Sequence, residues 1–208
     1  MSMEERVKLN KVSLRTQKQK LGMYRRFLPA LEARKQQFLM HLAIVRKEIA
    51  RQEERLQRIM QDIAVWSSLY GDMGEQIKYF IEVKEVKASI HNVAGLKVPQ
   101  LQGIDFKEPP YSYFATPASF DEVMKQSREA IESREAIRLL RQQETILFEG
   151  FRKTSQRINL YEQRLIPGCK ESIRKIAVYL QDQQAAAVGV AKVAKRMTEM
   201  SELKDVAV

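Results

Sequence analysis

The fold is decided by residues 21–80, which read LGMYRRFLPALEARKQQFLMHLAIVRKEIARQEERLQRIMQDIAVWSSLYGDMGEQIKYF. Apolar side chains recur here at alternating intervals of three and four residues, and of the eighteen positions so defined only Lys35 and Gln52 are polar. This spacing keeps the apolar side chains on one face of a helix with ~3.5 residues per turn, the pattern of a coiled coil. We call this face the N-terminal seam, and its expected members include Leu21, Leu28, Leu31, Phe38, Leu42, Ile49, Leu56, Ile63 and Trp66.

The C-terminal half carries a second seam with the same spacing. Its helix is expected to begin after Ser119 as the N-cap, with Glu122 three residues further on as in a capping box. After Pro167-Gly168 the seam resumes in a shifted phase, with successive spacings of four, which predicts a stutter that relaxes the supercoil locally. The members expected on this seam include Phe151, Ile158, Leu165, Ile173, Ile176 and Leu180.

Between the two seams the apolar period changes from 3.5 to 2. Val86, Ala88 and Ile90 alternate with polar residues, which predicts a half-buried strand, and a second alternating run follows Gly95. A β-hairpin over residues 83–106 is the economical interpretation, with Pro99 on an edge or at a bulge. The prolines that follow indicate an extended connector.

These patterns together predict a mainly α fold. Two very long antiparallel helices form a left-handed coiled coil, with a short central β-hairpin between them. The N-terminal shaft helix lies within residues 1–80, beginning near Asn10 and ending near Phe80, with a local bend at Pro29. Residues 81–118 form the hairpin and connector, and residues 119–208 form the C-terminal shaft helix that packs on the first.

The charge of the chain is strongly basic and unevenly distributed. The net charge is +10, and between Arg6 and Lys35 ten Lys or Arg residues stand against the single acid Glu32. Such a stripe could bind nucleic acid, an anionic membrane surface or an acidic protein surface. A solvated helix face with no partner would have the same composition. No aromatic–basic pattern of an RNA-binding motif accompanies it.

Other features of the sequence indicate the compartment. The single cysteine, Cys169, excludes an intramolecular disulfide and fits a reducing environment. We find no signal peptide and no uninterrupted apolar run long enough to span a membrane. The expected location is therefore the cytoplasm, without direct membrane insertion.

No catalytic, cofactor-binding or metal-binding constellation is evident in the sequence. His41 and His91 stand far apart, without cysteines or acids at ligand spacing, and Cys169 occupies a seam position typical of a packed thiol. No phosphate-binding glycine motif occurs. We therefore expect a protein that is not an enzyme and needs no cofactor.

Three stretches make the chain resemble the D subunit of V-type (V/A-type) ATPases, the central-stalk component of these rotary complexes. Residues 91–99, HNVAGLKVP, resemble the family's Asn-Val-Ala-Gly-Val-x-x-Pro pattern, and RINLYE at 157–162 with LIP at 165–167 resembles its Arg-Val-Asn-Ala-Leu-Glu…Ile-Pro signature. The stretch LEARKQQF at 31–38 is a degraded version of a third motif, in which Glu32 and Gln36 replace a lysine and an aspartate.

The resemblance implies a rotor that transmits torque between the A/B catalytic hexamer and the membrane ring. It also implies partners: the A and B subunits, the F subunit on the middle of the shaft, and the C subunit (named d in eukaryotes) between the base and the membrane rotor ring. Basic residues expected to face the A/B hexamer are Arg15, Lys18, Arg25, Arg26, Arg34, Lys35, Lys192 and Lys195. Hairpin residues expected to contact a partner are Val86, Ile90, Asn92, Gly95, Val98 and Pro99.

Other classes of protein also fit parts of the pattern. A stalk protein of a flagellar or type III export ATPase has a similar coiled coil, but should be shorter and lack the hairpin. A basic structural coiled coil that binds an anionic partner, such as nucleic acid or a membrane, would need no hairpin and should bind with a steep salt dependence. A homodimeric coiled coil would pair its helices between chains instead of within one.

Overall fold

A computed structural model describes residues 8–67, 74–107 and 119–205 of the chain. The predicted mainly α fold, with a long helix in each half and one central hairpin, is confirmed. Within the described residues no helix is both long and apolar enough to cross a membrane. The elements in chain order are α1 (Lys11–Ser67), α2 (Gly74–Phe80), β1 (Val83–Val93), β2 (Leu96–Phe106), α3 (Phe120–Leu160), a π-helical turn (Tyr161–Leu165) and α4 (Ile166–Asp205).

The ends of the long helices lie close to the predicted positions. Helix α1 begins after Asn10, whose Oδ1 accepts a hydrogen bond of 2.7 Å from the Ser13 backbone N–H, and α3 begins directly after Ser119. The chain is helical again over Gly74–Phe80, but the predicted continuity across residues 68–73 lies outside the described residues. Pro29 lies inside α1, and the bend expected there stays a prediction.

Contacts divide the chain into two compact units that cut across the long helices. Met1–Glu32 and Gln156–Val208 form one, here called the terminal unit, and Ala33–Ser155 form the other, the hairpin unit. The predicted division followed chain segments, whereas each unit takes residues from both halves of the chain.

The core of the hairpin unit joins α1, α3 and the hairpin. Helices α1 and α3 run antiparallel within this unit, because Arg46 pairs with Glu144 at 2.6 Å while Arg55, further along α1, pairs with the earlier Glu129 at 3.4 Å. These ion pairs are exposed and contribute at most about 1 kcal/mol each, so buried apolar side chains supply most of the stability. The buried cluster comprises Phe38, Leu42, Val45, Ile49, Val93, Val98 and Leu147.

The hairpin occupies the predicted residues and closes with a two-residue turn. Ala94 and Gly95 both have positive φ, 49° and 82°, as required at the centre of a type I′ turn. Pro99 pairs with Ile90 in regular register, and the irregularities lie elsewhere, between Val83/Glu85 and Lys87/Ala88. Pro99 therefore lies on an edge, which every strand of a two-stranded sheet provides, and not at a bulge.

One prediction about the hairpin is wrong: near the turn, the buried face of β1 is not the one that carries Val86, Ala88 and Ile90. Ile90 is 74% exposed, whereas Val93, which points to the opposite face, is buried. The alternation predicted the strand correctly but not which of its two faces the helices cover.

The terminal unit contains a π-helical turn next to a proline. The backbone N–H of Ile166 donates to the carbonyl oxygen of Tyr161, five residues back, and the Tyr161 ring lies 5.2 Å from that of Tyr24. Pro167 follows; it has no N–H, and in a regular α-helix its ring would crowd the carbonyl four residues before it. The wider π-helical turn accommodates the proline and adds one residue to that turn of the helix. It lies next to the position where the sequence predicted a shift in the phase of the seam.

The contact between β2 and α3 depends on Gly150. A Cβ at this position would overlap Cδ1 of Leu96 and lie 3.2 Å from Cζ of Phe38. We expect Gly150→Ala to lower the free energy of unfolding by about 1–3 kcal/mol through overpacking, outweighing the gain in helix propensity. Urea unfolding followed by circular dichroism measures the change.

The matched control for this substitution is Gly189→Ala in α4, where a Cβ would meet no atom within 4 Å. There the propensity gain of about 0.5–1 kcal/mol should appear alone. Equal effects at Gly150 and Gly189 would contradict the close packing of Leu96 on α3.

The Cys169 thiol is buried in the terminal unit, and burial raises its pKa more than the nearby positive charge of Lys20 lowers it. We expect iodoacetamide at about pH 8 to label the folded chain at least about tenfold more slowly than the urea-unfolded chain, because the thiolate is the nucleophile. Mass spectrometry of quenched samples gives both rates.

The raised pKa of Cys169 also makes the free energy of unfolding depend on pH. The unfolded thiol ionises first as the pH rises above about 8.5, so stability should fall from there up to the folded pKa. Cys169→Ser should remove this part of the pH dependence. Equal labelling of folded and unfolded chains would show that the thiol is accessible.

Candidate functional site

The predicted seam residues differ in burial. Trp66 lies outside the described side chains. How the two seams pair along their full length stays a prediction. Buried members are Phe38, Leu42 and Ile49 in the hairpin unit and Ile158 and Ile176 in the terminal unit. Half-buried members are Leu21, Leu28, Leu31, Leu56, Ile63, Phe151, Leu165, Ile173 and Leu180.

The positive charge of the chain is concentrated in the terminal unit. Met1–Glu32 and Gln156–Val208 contain seventeen Lys or Arg and nine Asp or Glu, a net charge of +8. Residues 33–155 contain nineteen basic and seventeen acidic residues, a net charge of +2. A basic surface on the terminal unit therefore accounts for most of the charge imbalance, and such a surface attracts anionic partners.

The predicted basic contacts fall into two groups. Arg34 and Lys35 belong to the hairpin unit and are half-buried: Arg34 donates to the carbonyl oxygen of Ala94, and the Lys35 ammonium lies 6.0 Å from the centre of the Phe151 ring. We therefore leave both out of the basic surface. The remaining residues are exposed on the terminal unit: Arg15, Lys18, Arg25, Arg26, Lys192 and Lys195.

The last part of α4 presents an uncovered apolar stripe. Residues 181–200 are all exposed, and four of them recur at intervals of three, four and three residues, which places them on one helical face. These four residues, here called the α4 stripe, are Val190, Val193, Met197 and Met200, each more than half exposed. Apolar surface arranged in this way is typical of a contact with another protein.

The hairpin has an inner and an outer face near its turn. Val98 is only 3% exposed and belongs to the core of the hairpin unit, so it is not accessible to a partner. Ile90 pairs with Pro99 and Ala88 with Leu101 on the opposite face, here called the outer face. Of the other predicted contacts, Asn92 and Gly95 are exposed and Val86 is half-buried.

The described residues contain no group of three or more His, Cys, Asp or Glu side chains placed to hold a metal ion. His91 is exposed on the hairpin and His41 is half-buried on α1. The surfaces that stand out are thus the basic surface, the α4 stripe and the outer face of the hairpin, all of which suit contact with macromolecules.

Comparison with known proteins agrees with the resemblance found in the sequence. The family model for the D subunit of ATP synthase matches residues 13–196. The D subunit of the V-type ATP synthase of Borreliella burgdorferi is 33% identical over 190 residues, covering 91% of this chain and 94% of that protein.

Similar agreement extends to other bacteria. The D subunit of the V-type ATP synthase of Chlamydia trachomatis is 30% identical over 199 residues, covering 93% of this chain and 97% of the relative. The protein of the same name from Chlamydia pneumoniae is 28% identical over 204 residues, covering 97% and 98%. The chain belongs to the family of ATP synthase D subunits.

Proposed function

We propose that this chain is the central-stalk rotor component of a V-type ATPase or ATP synthase, a non-catalytic subunit that transmits torque between the A/B hexamer and the membrane ring. The observation that carries the proposal is the family match over residues 13–196. Long helices with a partly buried seam suit this role, because a transmission shaft must resist twisting.

The terminal unit is the part proposed to turn inside the A/B hexamer. Its net charge of +8 supplies attraction to acidic surfaces at long range, which does not require one fixed register as the shaft rotates. The α4 stripe supplies a short-range apolar contact on a slender helix, where the small residues 185–187 add little width.

The hairpin unit is proposed to meet the other partners. Its outer face, with Ile90 exposed, suits contact with the F subunit or modulation of hydrolysis, and the C (or d) subunit would join the base of the shaft to the membrane rotor ring. In this role the protein is cytoplasmic, attached to the membrane only through the complex, and does not bind nucleic acid.

The second candidate is a basic structural protein with an anionic partner, and the charge of the terminal unit favours it. A basic structural protein of this kind would not need the β-hairpin. The presence of the hairpin also argues against the stalk protein of a flagellar or type III export ATPase. Binding of nucleic acid that weakens steeply with salt would support this candidate.

Co-expression with the A, B and F subunits from the same genome, followed by native mass spectrometry and an ATPase assay, tests the rotor proposal. The expected result is one copy of this chain for three A and three B subunits, with a changed rate of ATP hydrolysis. A homodimer that ignores A and B, or a chain that binds DNA at low salt, would overturn it.

Charge reversal tests the basic surface. Lys192→Glu with Lys195→Glu changes two exposed residues of α4, so unfolding should be unaffected within about 0.5 kcal/mol. At about 50 mM salt we expect assembly with A and B to weaken on the order of tenfold, and the loss to shrink towards about 0.5 M salt. A titration of purified A/B hexamer measures both.

The control variant, Lys47→Glu with Arg152→Glu, makes the same change of net charge on exposed residues of the hairpin unit. It should leave assembly with the hexamer nearly unchanged. If both variants weaken assembly equally, the effect comes from total charge and not from the terminal unit.

A further inference from the structure

The turn of the hairpin is held by one arginine of α1. Nε and Nη2 of Arg34 both donate to the carbonyl oxygen of Ala94, at 3.0 and 2.7 Å. The guanidinium carbon also lies 5.7 Å from the centre of the Phe38 ring, close enough for a cation–π contact. Arg34 thus joins the turn to the buried cluster of the hairpin unit.

The two turn residues fit closely around this arginine. Ala94 has a φ of 49°, a conformation uncommon for a residue with a side chain, which persists where the surroundings over-determine it. A Cβ at Gly95 would lie 2.7 Å from Nη2 of Arg34. Any larger residue at position 95 would therefore have to displace the guanidinium.

Two further side chains hold the hairpin from the side of α3. The Gln143 amide donates to the carbonyl oxygen of Pro99, in the middle of the hairpin. At its base, Nη2 of Arg128 donates to the carbonyl oxygens of Phe80 and Lys107, at 3.1 and 3.3 Å, and the guanidinium lies 5.2 Å from the centre of the Phe106 ring. Every acceptor in these contacts is a backbone carbonyl.

Apolar contact alone does not fix the hairpin along its length. On the inner face the buried apolar residues, Val93 and Val98, lie near the turn with Leu96 packed beside them, whereas Val83 and Phe106 at the base of the hairpin are only half-buried. Further from the turn the same face carries polar pairs such as Ser89 with Gln100. The side-chain hydrogen bonds at the turn, the middle and the base therefore add to these apolar contacts in setting where the strands lie.

We propose that Arg34 and Arg128 form a latch that holds the hairpin on α1 and α3 as a fixed arm, with Arg34 positioning the turn. This holds for the chain by itself. Only its mechanical consequence, that a load on the outer face reaches the helices instead of swinging the hairpin, depends on the proposed rotor function.

Hydrogen–deuterium exchange of the full chain tests the latch, with Arg34→Ala as the first variant. A two-stranded hairpin is marginal by itself, so its amides should exchange at least about tenfold faster once the turn is released. This acceleration should be confined to peptides covering residues 88–98, and peptides from α1 and α3 should keep the wild-type rate.

Two further variants sharpen the result. Arg34→Lys keeps the charge but cannot reproduce the forked donation, so it should give an intermediate rate. Arg46 lies on the same helix as Arg34 and forms an exposed ion pair with Glu144 of α3. Arg46→Ala removes this pair and should leave the exchange rate of the hairpin unchanged.

Wild-type exchange of the hairpin in Arg34→Ala would overturn the latch. Equal acceleration of the hairpin and the helices would also overturn it, because Arg34 would then stabilise the unit as a whole. The test needs no partner subunits. Failure of the wild-type chain to assemble with A and B would overturn the proposed function and leave the exchange result standing.

Discussion

The packing of Phe38 is the contact on which the hairpin unit depends. Its ring is almost fully buried at the point where α1, α3 and the hairpin meet, next to the gap at Gly150 and beneath the guanidinium of Arg34. Leu96 enters the same gap, so the absence of a side chain at Gly150 sets how closely β2 approaches α3. The inner face is covered in this way, and the outer face around Ile90 is left to solvent.

The long helices and the hairpin were predictable because their signals are local. A spacing of three and four, a change to period two and a glycine in a turn are read within a few residues, and the hairpin range 83–106 came from such signals alone. The covered face of β1 was not predictable, since it depends on where the strand meets helices far away in the sequence.

Arg34 illustrates the same limit for the candidate site. In the sequence Arg34 is one of a run of basic residues, yet its guanidinium binds the carbonyl oxygen of a residue sixty positions away. It is therefore not part of the basic surface. Arg128 had no signal either, because an arginine that binds backbone carbonyls leaves no pattern in the residues it contacts. Apart from Lys35, the other predicted basic residues lie exposed on the terminal unit, where a contact such as that of Lys195 with Glu199, at 3.8 Å and one turn further along α4, leaves the side chain at the surface.

The two units differ in net charge and in how much of their surface is covered by contacts within the unit. The terminal unit combines a net charge of +8 with a helix whose residues 181–200 are all exposed, and an isolated helix of about this length is marginal in water. In the proposed rotor, a partner that encloses this helix would stabilise it. The hairpin unit is nearly balanced in charge and holds its hairpin through internal contacts, so it already has a defined surface before any partner arrives. The proposed rotor function would use this combination, because one part of the chain would turn against its surroundings and another would stay fixed to what it carries.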